Sequence, residues 1–251
     1  MDGMRWIYLS PHLDDAALSA GGLIYDQTQS GMPVEIWTFM CGDPHLKEYS
    51  PLTQTLHTQW GFADAQETVR GRRQEDHQAA NILGAKAVHF DFLDCIYRRD
   101  KNGKWLYEDK IFIPPLQEDN ALRSEIADAI SQRLVPDDVL VCQLSVGSHV
   151  DHILVRQAAE LLARRLIYDI DMPYVLYRAD EFEEKSAGMK ESVHRITVAG
   201  LERWQEAVLA YKSQLPSLHE SVQTPENARE SVRAYWSERQ GISLLQFGTI
   251  G

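Results

Sequence analysis

The first forty residues confine the chain to a narrow set of folds. Trp6-Ile7-Tyr8-Leu9 is a short apolar run of β-forming residues, and Ser10-Pro11-His12-Leu13-Asp14 breaks it. From Asp15 to Ser30 the chain is rich in Ala, Leu and Gly, which predicts a helix. Its small face, Ala16, Ala20 and Gly21, suits close packing on a sheet. Gly31-Met32-Pro33 stops that helix, and Val34 to Met40 predicts a second buried strand. A strand, a helix and a strand in so short a span close only with the strands parallel and the crossover right-handed.

The same alternation continues. Residues 41–62 carry Pro44, Pro51 and Gly61 and read as a long irregular loop, a length that usually serves function. Ala63 to Leu83 predicts a polar helix closed by Gly84, and Lys86 to Phe92 a third strand. Asn102-Gly103 between aromatic flanks, Tyr97 and Trp105-Leu106-Tyr107, predicts a hairpin. A helix over Asn120 to Leu134 leads to a fourth buried strand, Val139 to Cys142. The loop Ser145 to Asp151 precedes a helix over His152 to Leu166. Tyr174 to Tyr177 and Val193 to Val198 read as late strands, and Gly200 to Gln214 and Glu226 to Glu238 as terminal helices. The charge run Asp180 to Lys185 reads as solvated surface. The pattern predicts an α/β protein with helices on both faces of a mainly parallel sheet. With no repeat or linker in view, residues 1–251 read as a single domain.

In such sheets ligands bind beyond the carboxyl ends of the strands, where strand order reverses. Two predicted loops at strand ends are rich in metal-type ligands. Pro11-His12-Leu13-Asp14-Asp15 follows the first strand, and Ser148-His149-Val150-Asp151-His152 follows the fourth. His12 with Asp15, and His149 with His152, share a spacing of three at a helix start, which puts each pair on one side. Each motif alone is better explained by a helix cap and a partly solvated histidine. Together, each supplies what the other lacks. Two His nitrogens and one Asp oxygen with an open fourth position make a catalytic rather than a structural zinc site. Asp14 and Asp151 are left over, and a free carboxylate beside an activated water is what a general base requires. Spacing does not say which of His149 and His152 would bind metal.

Ser10 to Gly22 resembles the N-terminal motif of the PIG-L/LmbE-like zinc-dependent deacetylases, and His149-Val150-Asp151-His152 resembles their second motif. Arg72 to Asp76, with Ala79-Ala80 and Leu83-Gly84, is similar to the family's central helix, and Tyr211-Lys212-Ser213-Gln214 to a stretch near its C-terminus. The resemblance implies a Rossmann-like three-layer αβα sandwich. It also implies hydrolysis of the N-acetyl (or N-acyl) amide of an amino sugar or its conjugate. Carried over by motif, it makes His12, Asp15 and His152 the ligands of Zn2+, with another divalent metal such as Fe2+ as the variant. Asp14 becomes the general base. His149 becomes the group that stabilises the tetrahedral intermediate or protonates the leaving amine, oriented by Asp151. Leu13 and Ala16 depart from the Pro and Glu that the family often carries there, and neither is a ligand.

Among the other polar residues, Arg73 on the central helix and Asp94 after the third strand are candidates for binding substrate hydroxyls. His45 and His57 read as solvated loop histidines, and Trp60, Tyr97 and Trp105 as packing aromatics. The rival enzyme reading uses Asp14 and Asp15 as a magnesium or phosphoryl-acceptor site, but magnesium prefers oxygen ligands and His12 and His152 do not fit it. A non-catalytic glycan-binding relative is the other alternative. The net charge of −12 speaks against nucleic acid and anionic membrane as partners. No run is long and apolar enough for a transmembrane segment, so the expected partner is a small-molecule amino-sugar conjugate, with a homo-oligomer allowed. Cys41, Cys95 and Cys142 form no CxxC pair and read as small buried hydrophobes in a cytoplasmic protein.

Overall fold

The computed structural model describes residues 4–248. Strands β1 (Trp6–Ser10), β2 (Val34–Met40), β3 (Lys86–Phe92), β4 (Val139–Gln143), β5 (Leu166–Asp169), β6 (Met189–Arg195) and β7 (Gly241–Phe247) form one seven-stranded sheet. Their order is β3-β2-β1-β4-β5-β7-β6. The first five strands pair in parallel, and β7 runs antiparallel to both β5 and β6. The expected mainly parallel α/β architecture is therefore present.

Helices α1 (Asp15–Gln29), α2 (Pro51–Trp60), α3 (Ala65–Leu83), α4 (Asn120–Ser131), α5 (Val150–Glu160), α6 (Ala179–Lys185), α7 (Val198–Val208) and α8 (Pro225–Arg239) complete the order. From β1 the chain steps outward through β2 to β3, then returns to β4 on the far side of β1. Right-handed crossovers with opposite directions of travel place their helices on opposite faces. Accordingly α1, α3 and α7 pack together, and α4 packs with α5. The reversal falls between β1 and β4, whose register pairs Leu9 with Cys142. The loops leaving these two strand ends are thus neighbours in space.

Local signals account for the element ends that matter here. Asp64 accepts the Glu67 amide at 2.8 Å to start α3, and Gly84, at φ 71°, ends it. Inside the segment expected to be irregular, Ser50 accepts the Thr53 amide at 3.1 Å and opens α2. Pro51 sits in the first turn, where its missing N–H costs nothing, so it begins a helix rather than breaking one. Tyr174–Leu176 is a 3-10 turn rather than a strand. Helix α5 ends at Glu160, short of its expected end at Leu166, and Leu166 opens β5, a strand with no expectation attached to it. Strand β6 lies upstream of its expected position, at an edge where an alternating Met-Lys-Glu-Ser-Val-His-Arg run carries little apolar signal. Strand β7 had no expectation attached to it. The expected hairpin is present as a single bridge between Arg99 and Trp105.

Gly21 and Gly22 of α1 face α7 as well as serving the helix. A Cβ at Gly21 would lie 2.6 Å from Trp204 Cδ1, and one at Gly22 would lie 2.4 Å from Ile196 Cδ1. Trp204 is fully buried, and its indole N–H donates to the Leu18 carbonyl at 3.0 Å. The small face thus admits a large ring from a helix near the other end of the chain. Cys41, Cys95 and Cys142 are all free and buried, as expected. Among the described residues no helix is long and apolar enough to cross a membrane. Trp204→Ala empties this contact and is expected to cost about 3–5 kcal/mol, read from urea denaturation.

Candidate active site

The turn after β1 is built around backbone groups. Ser10 Oγ donates to the His12 carbonyl at 2.7 Å and accepts the Ala16 amide at 3.1 Å, tying the turn to the start of α1. Asp15 Oδ2 accepts the His12 amide at 2.7 Å, which swings its carboxylate back over the turn. One oxygen then lies 3.5 Å from His12 Nδ1 and the other 3.4 Å from His152 Nε2. Donors about 2.1 Å from a tetrahedral zinc sit about 3.4 Å apart, so each of these two spacings, one to each Asp15 oxygen, is that of neighbouring ligands. His149 is close as well: a nitrogen from each of His12, His149 and His152 falls within 4.8 Å of the others.

The far nitrogens of two rings are also accounted for. His12 Nε2 meets Asp151 Oδ2 at 3.0 Å, and His152 Nδ1 meets Asp171 Oδ1 at 3.3 Å. A carboxylate on the outer nitrogen fixes tautomer and ring orientation, leaving the inner nitrogen's lone pair for a metal. Asp151 also accepts the Cys95 amide at 3.0 Å and pairs with Arg98 at 2.6 Å. Its carboxylate therefore binds His12, whereas sequence reasoning assigned it to His149. The reason is local: His149 is the N-cap of α5, outside the helix that carries Asp151, and its ring turns to the helix backbone. His149 Nδ1 instead accepts the Asp151 amide at 3.2 Å, capping α5.

Asp14 shares the cleft and is buried. Burial, reinforced by the neighbouring Asp15 carboxylate, pushes it up to about 6 against the pull of Arg72, His12 and His152. Burial also opposes ionisation of Asp15, but His152 and the hydrogen bonds from His12 outweigh it and hold that carboxyl at about 2. Two adjacent carboxylates thus receive opposite treatment. Burial, together with the nearby His12, holds His149 well below the usual histidine range.

Arg72 lines the cleft, 3.9 Å from Asp14 and 3.8 Å from Asp94, with its guanidinium 4.8 Å over the Trp60 ring. Arg73 does not line it. Its guanidinium donates to the Cys41 carbonyl at 2.9 Å, the Phe90 carbonyl at 3.1 Å and Asp91 at 2.6 Å. One step along a helix is about 100°, and the phase of α3 decides which of the two arginines turns inward. Asp94 does reach the cleft, while its other oxygen caps Ile96 at 3.2 Å. His57, expected to be solvated, is buried with Nε2 2.7 Å from Tyr97 Oη, whereas His45 is exposed as expected.

Sequence reasoning missed Asp171, Arg98 and Tyr174, which no motif marks. The two remaining motif segments meet nearby. Asp76 of α3 accepts from Tyr211 Oη at 2.8 Å, and Glu75 accepts the Ser213 amide at 2.9 Å. This leaves Gln214 on the cleft wall.

Residues 7–163 match the PIG-L family model, described as GlcNAc-PI de-N-acetylase. The chain belongs to the PIG-L family. A characterised relative is the 2'-N-acetylparomamine deacetylase of Niallia circulans, 24% identical over 235 residues that cover 86% of this chain and 83% of that protein. Among solved structures, the zinc-inhibited form of teicoplanin deacetylase Orf2 superposes with a TM-score of 0.80 at 27% identity, covering 97% of both chains. The A40926 pseudoaglycone deacetylase Dbv21 does so with a TM-score of 0.72 at 25% identity, covering 98% of this chain and 97% of that one.

Arg98 is the buried cation that offsets this cluster from behind, pairing with Asp119 at 3.1 Å as well as Asp151. Arg98→Met strands two buried carboxylates and is expected to lower stability by about 3–5 kcal/mol in chemical denaturation.

Proposed function

We propose that this chain is a metal-dependent N-deacetylase that hydrolyses the N-acetyl or N-acyl amide of an amino sugar or amino-sugar conjugate. The observation that carries the reading is the Asp15 carboxylate set between His12 Nδ1 and His152 Nε2, with a second buried carboxylate, Asp14, beside it. Membership of the PIG-L family supports the reaction class, and the relatives named as deacetylases support the substrate class. His12, Asp15 and His152 would hold the ion. Zinc is favoured by a mixed imidazole and carboxylate set with outer carboxylates on both rings, and Fe2+ is the variant. Magnesium, which takes oxygen ligands, suits the two imidazoles poorly.

When bound, the ion polarises the acyl carbonyl and acidifies the attacking water. Asp14 takes the water's proton as the oxygen adds to the acyl carbon. His149 keeps Nδ1 occupied as an acceptor from the Asp151 amide, so the neutral ring carries its proton on Nε2 and donates it toward the developing oxyanion. The C–N bond then breaks. The amine leaves with the proton that Asp14 took, and the carboxylic acid left behind releases its remaining proton to solvent as the carboxylate. Asp151 acts one step back, by orienting His12. Arg72, in place of Arg73, and Asp94 are the cleft groups available to substrate hydroxyls.

The reading covers residues 1–251 as one domain, supported by a sheet that takes strands from Trp6 through Phe247. It places the protein in the cytoplasm, supported by three buried free thiols. Its partner is a small molecule, and the charge of −12 disfavours nucleic acid.

Amine release from a panel of N-acylated amino sugars, with metal content measured in parallel, tests the proposal. A chelator is expected to abolish turnover, and added Zn2+ to restore it. Asp14→Asn is expected to retain the metal and lose about 10²–10⁴ in kcat, whereas His152→Ala is expected to lose the metal itself. Full activity in Asp14→Asn removes Asp14 as the base, and metal-independent turnover removes the proposal.

A further inference from the structure

His149 emerges from a backbone that does not hold its shape unaided. Between β4 and α5 the chain runs Ser145-Val146-Gly147-Ser148, and Ser145, Gly147 and Ser148 have φ of 65°, 89° and 56°. Two of these are L-residues in the left-handed region, which persists only where the surroundings impose it. The turn closes through its own backbone, with the Ser148 amide donating to the Ser145 carbonyl at 3.1 Å. At its base, Arg156 NH1 donates to the Leu144 carbonyl at 2.6 Å. On its cleft side Gly147 lies against Tyr174: a Cβ there would fall 2.3 Å from the ring.

The outer side of the turn is held by a distant part of the sequence, the acidic run that forms α6. Lys185 Nζ donates to the Ser145 carbonyl and, at 3.0 Å, to Ser148 Oγ. Ser148 Oγ donates in turn to Glu181 Oε1. Glu181 and Lys185 close the ring with an ion pair at 3.0 Å across one turn of the helix. Their side chains keep only 17% and 19% of their surface exposed, so this is not the loose surface pair that contributes little. On this side the Ser145 carbonyl and the Ser148 hydroxyl are engaged by these two residues. The next residue is His149.

We propose that Glu181 and Lys185 are positioning residues for His149: α6 clamps the left-handed 145–148 turn and so sets where the imidazole points. The inference rests on the deacetylase reading of the same cleft. It goes further by assigning a role in that chemistry to two charged residues over thirty positions from the motif they serve. Neither touches the metal ligands or substrate. They act through backbone conformation, so their loss changes the placement of His149 without removing a ligand.

The test uses the full-length, metal-loaded protein and three variants, Lys185→Met, Lys185→Arg and Glu181→Gln. Lys185→Met is expected to speed amide hydrogen exchange at Ser148 and His149 and to shift the His149 ring resonances in an NMR spectrum. It is also expected to lower kcat by about tenfold to a hundredfold, with KM and metal content within about twofold of wild type. Glu181→Gln is expected to act in the same direction, and Lys185→Arg, which keeps a donor in place, to recover most of the loss. A merely stabilising pair would lower the unfolding midpoint while leaving the ring resonances and kcat unchanged, and that result overturns the proposal. Exchange and ring resonances are read without substrate. If the wild-type protein released no amine from any N-acyl sugar, the deacetylase reading would fail while those two measurements still decided the clamp.

Discussion

The pairing of β1 with β4 is the constraint on which the site depends. Neither strand carries a ligand, but both are parallel, adjacent and aligned so that their carboxyl ends open at the same level. The chain builds β1, β2 and β3 to one side and returns to β4 on the other, and the crevice forms where it turns back. Two histidine- and aspartate-rich loops more than 130 residues apart then face one another, with one carboxylate between their imidazoles. The same reversal leaves α1, α3 and α7 free to gather on one face. There Gly21 and Trp204 interlock, and α3 presents Arg72 to the cleft.

The cleft concentrates charge that burial disfavours. Asp14, Asp15, Asp151 and Asp171 are all buried within one neighbourhood. Each is tolerable because a specific partner meets it. Arg98 and His12 meet Asp151, His152 meets Asp171, and Arg72 approaches Asp14. Such arrangements favour geometric definition over net stability, because removing one partner leaves an uncompensated charge in a low dielectric. They also separate two adjacent carboxyls chemically. Asp15, between two imidazoles, stays ionised, while Asp14, buried and facing the first carboxylate, is pushed upward. One is suited to hold a cation and the other to accept a proton.

How far sequence reading reached follows from the range of the interactions involved. The first four strands and the α1 and α3 helices were legible because apolar runs and a closing Gly84 are local signals. The terminal helix α8 was legible too, but the late strands were only partly so or not at all. β6 and β7 are stabilised by pairing with each other, and β6 has a polar alternating pattern that only its partner makes sense of. Pro51 looks like a breaker in the sequence because its role turns on whether Ser50 caps a helix or precedes a loop. Within the site, His12, Asp14, Asp15, His149, Asp151 and His152 stood out as clustered side chains of the right chemistry. Arg72 could not be told from Arg73 without the phase of the helix. Asp171 and Arg98 carry no motif at all.

The order of apolar and polar residues along the chain determined that this protein would be a parallel α/β sheet, and it put ligand-type residues in the turns after β1 and β4. Helix phase, burial and long-range pairing decided the rest. They turned Arg72 rather than Arg73 into the cleft, gave the Asp151 carboxylate to His12 instead of His149, and made part of an acidic run the brace of a left-handed turn. The reason is physical. Secondary structure responds to periodicity over a few residues. A side chain's partner depends instead on which distant element packs against it, and that is known only once the whole sheet has closed.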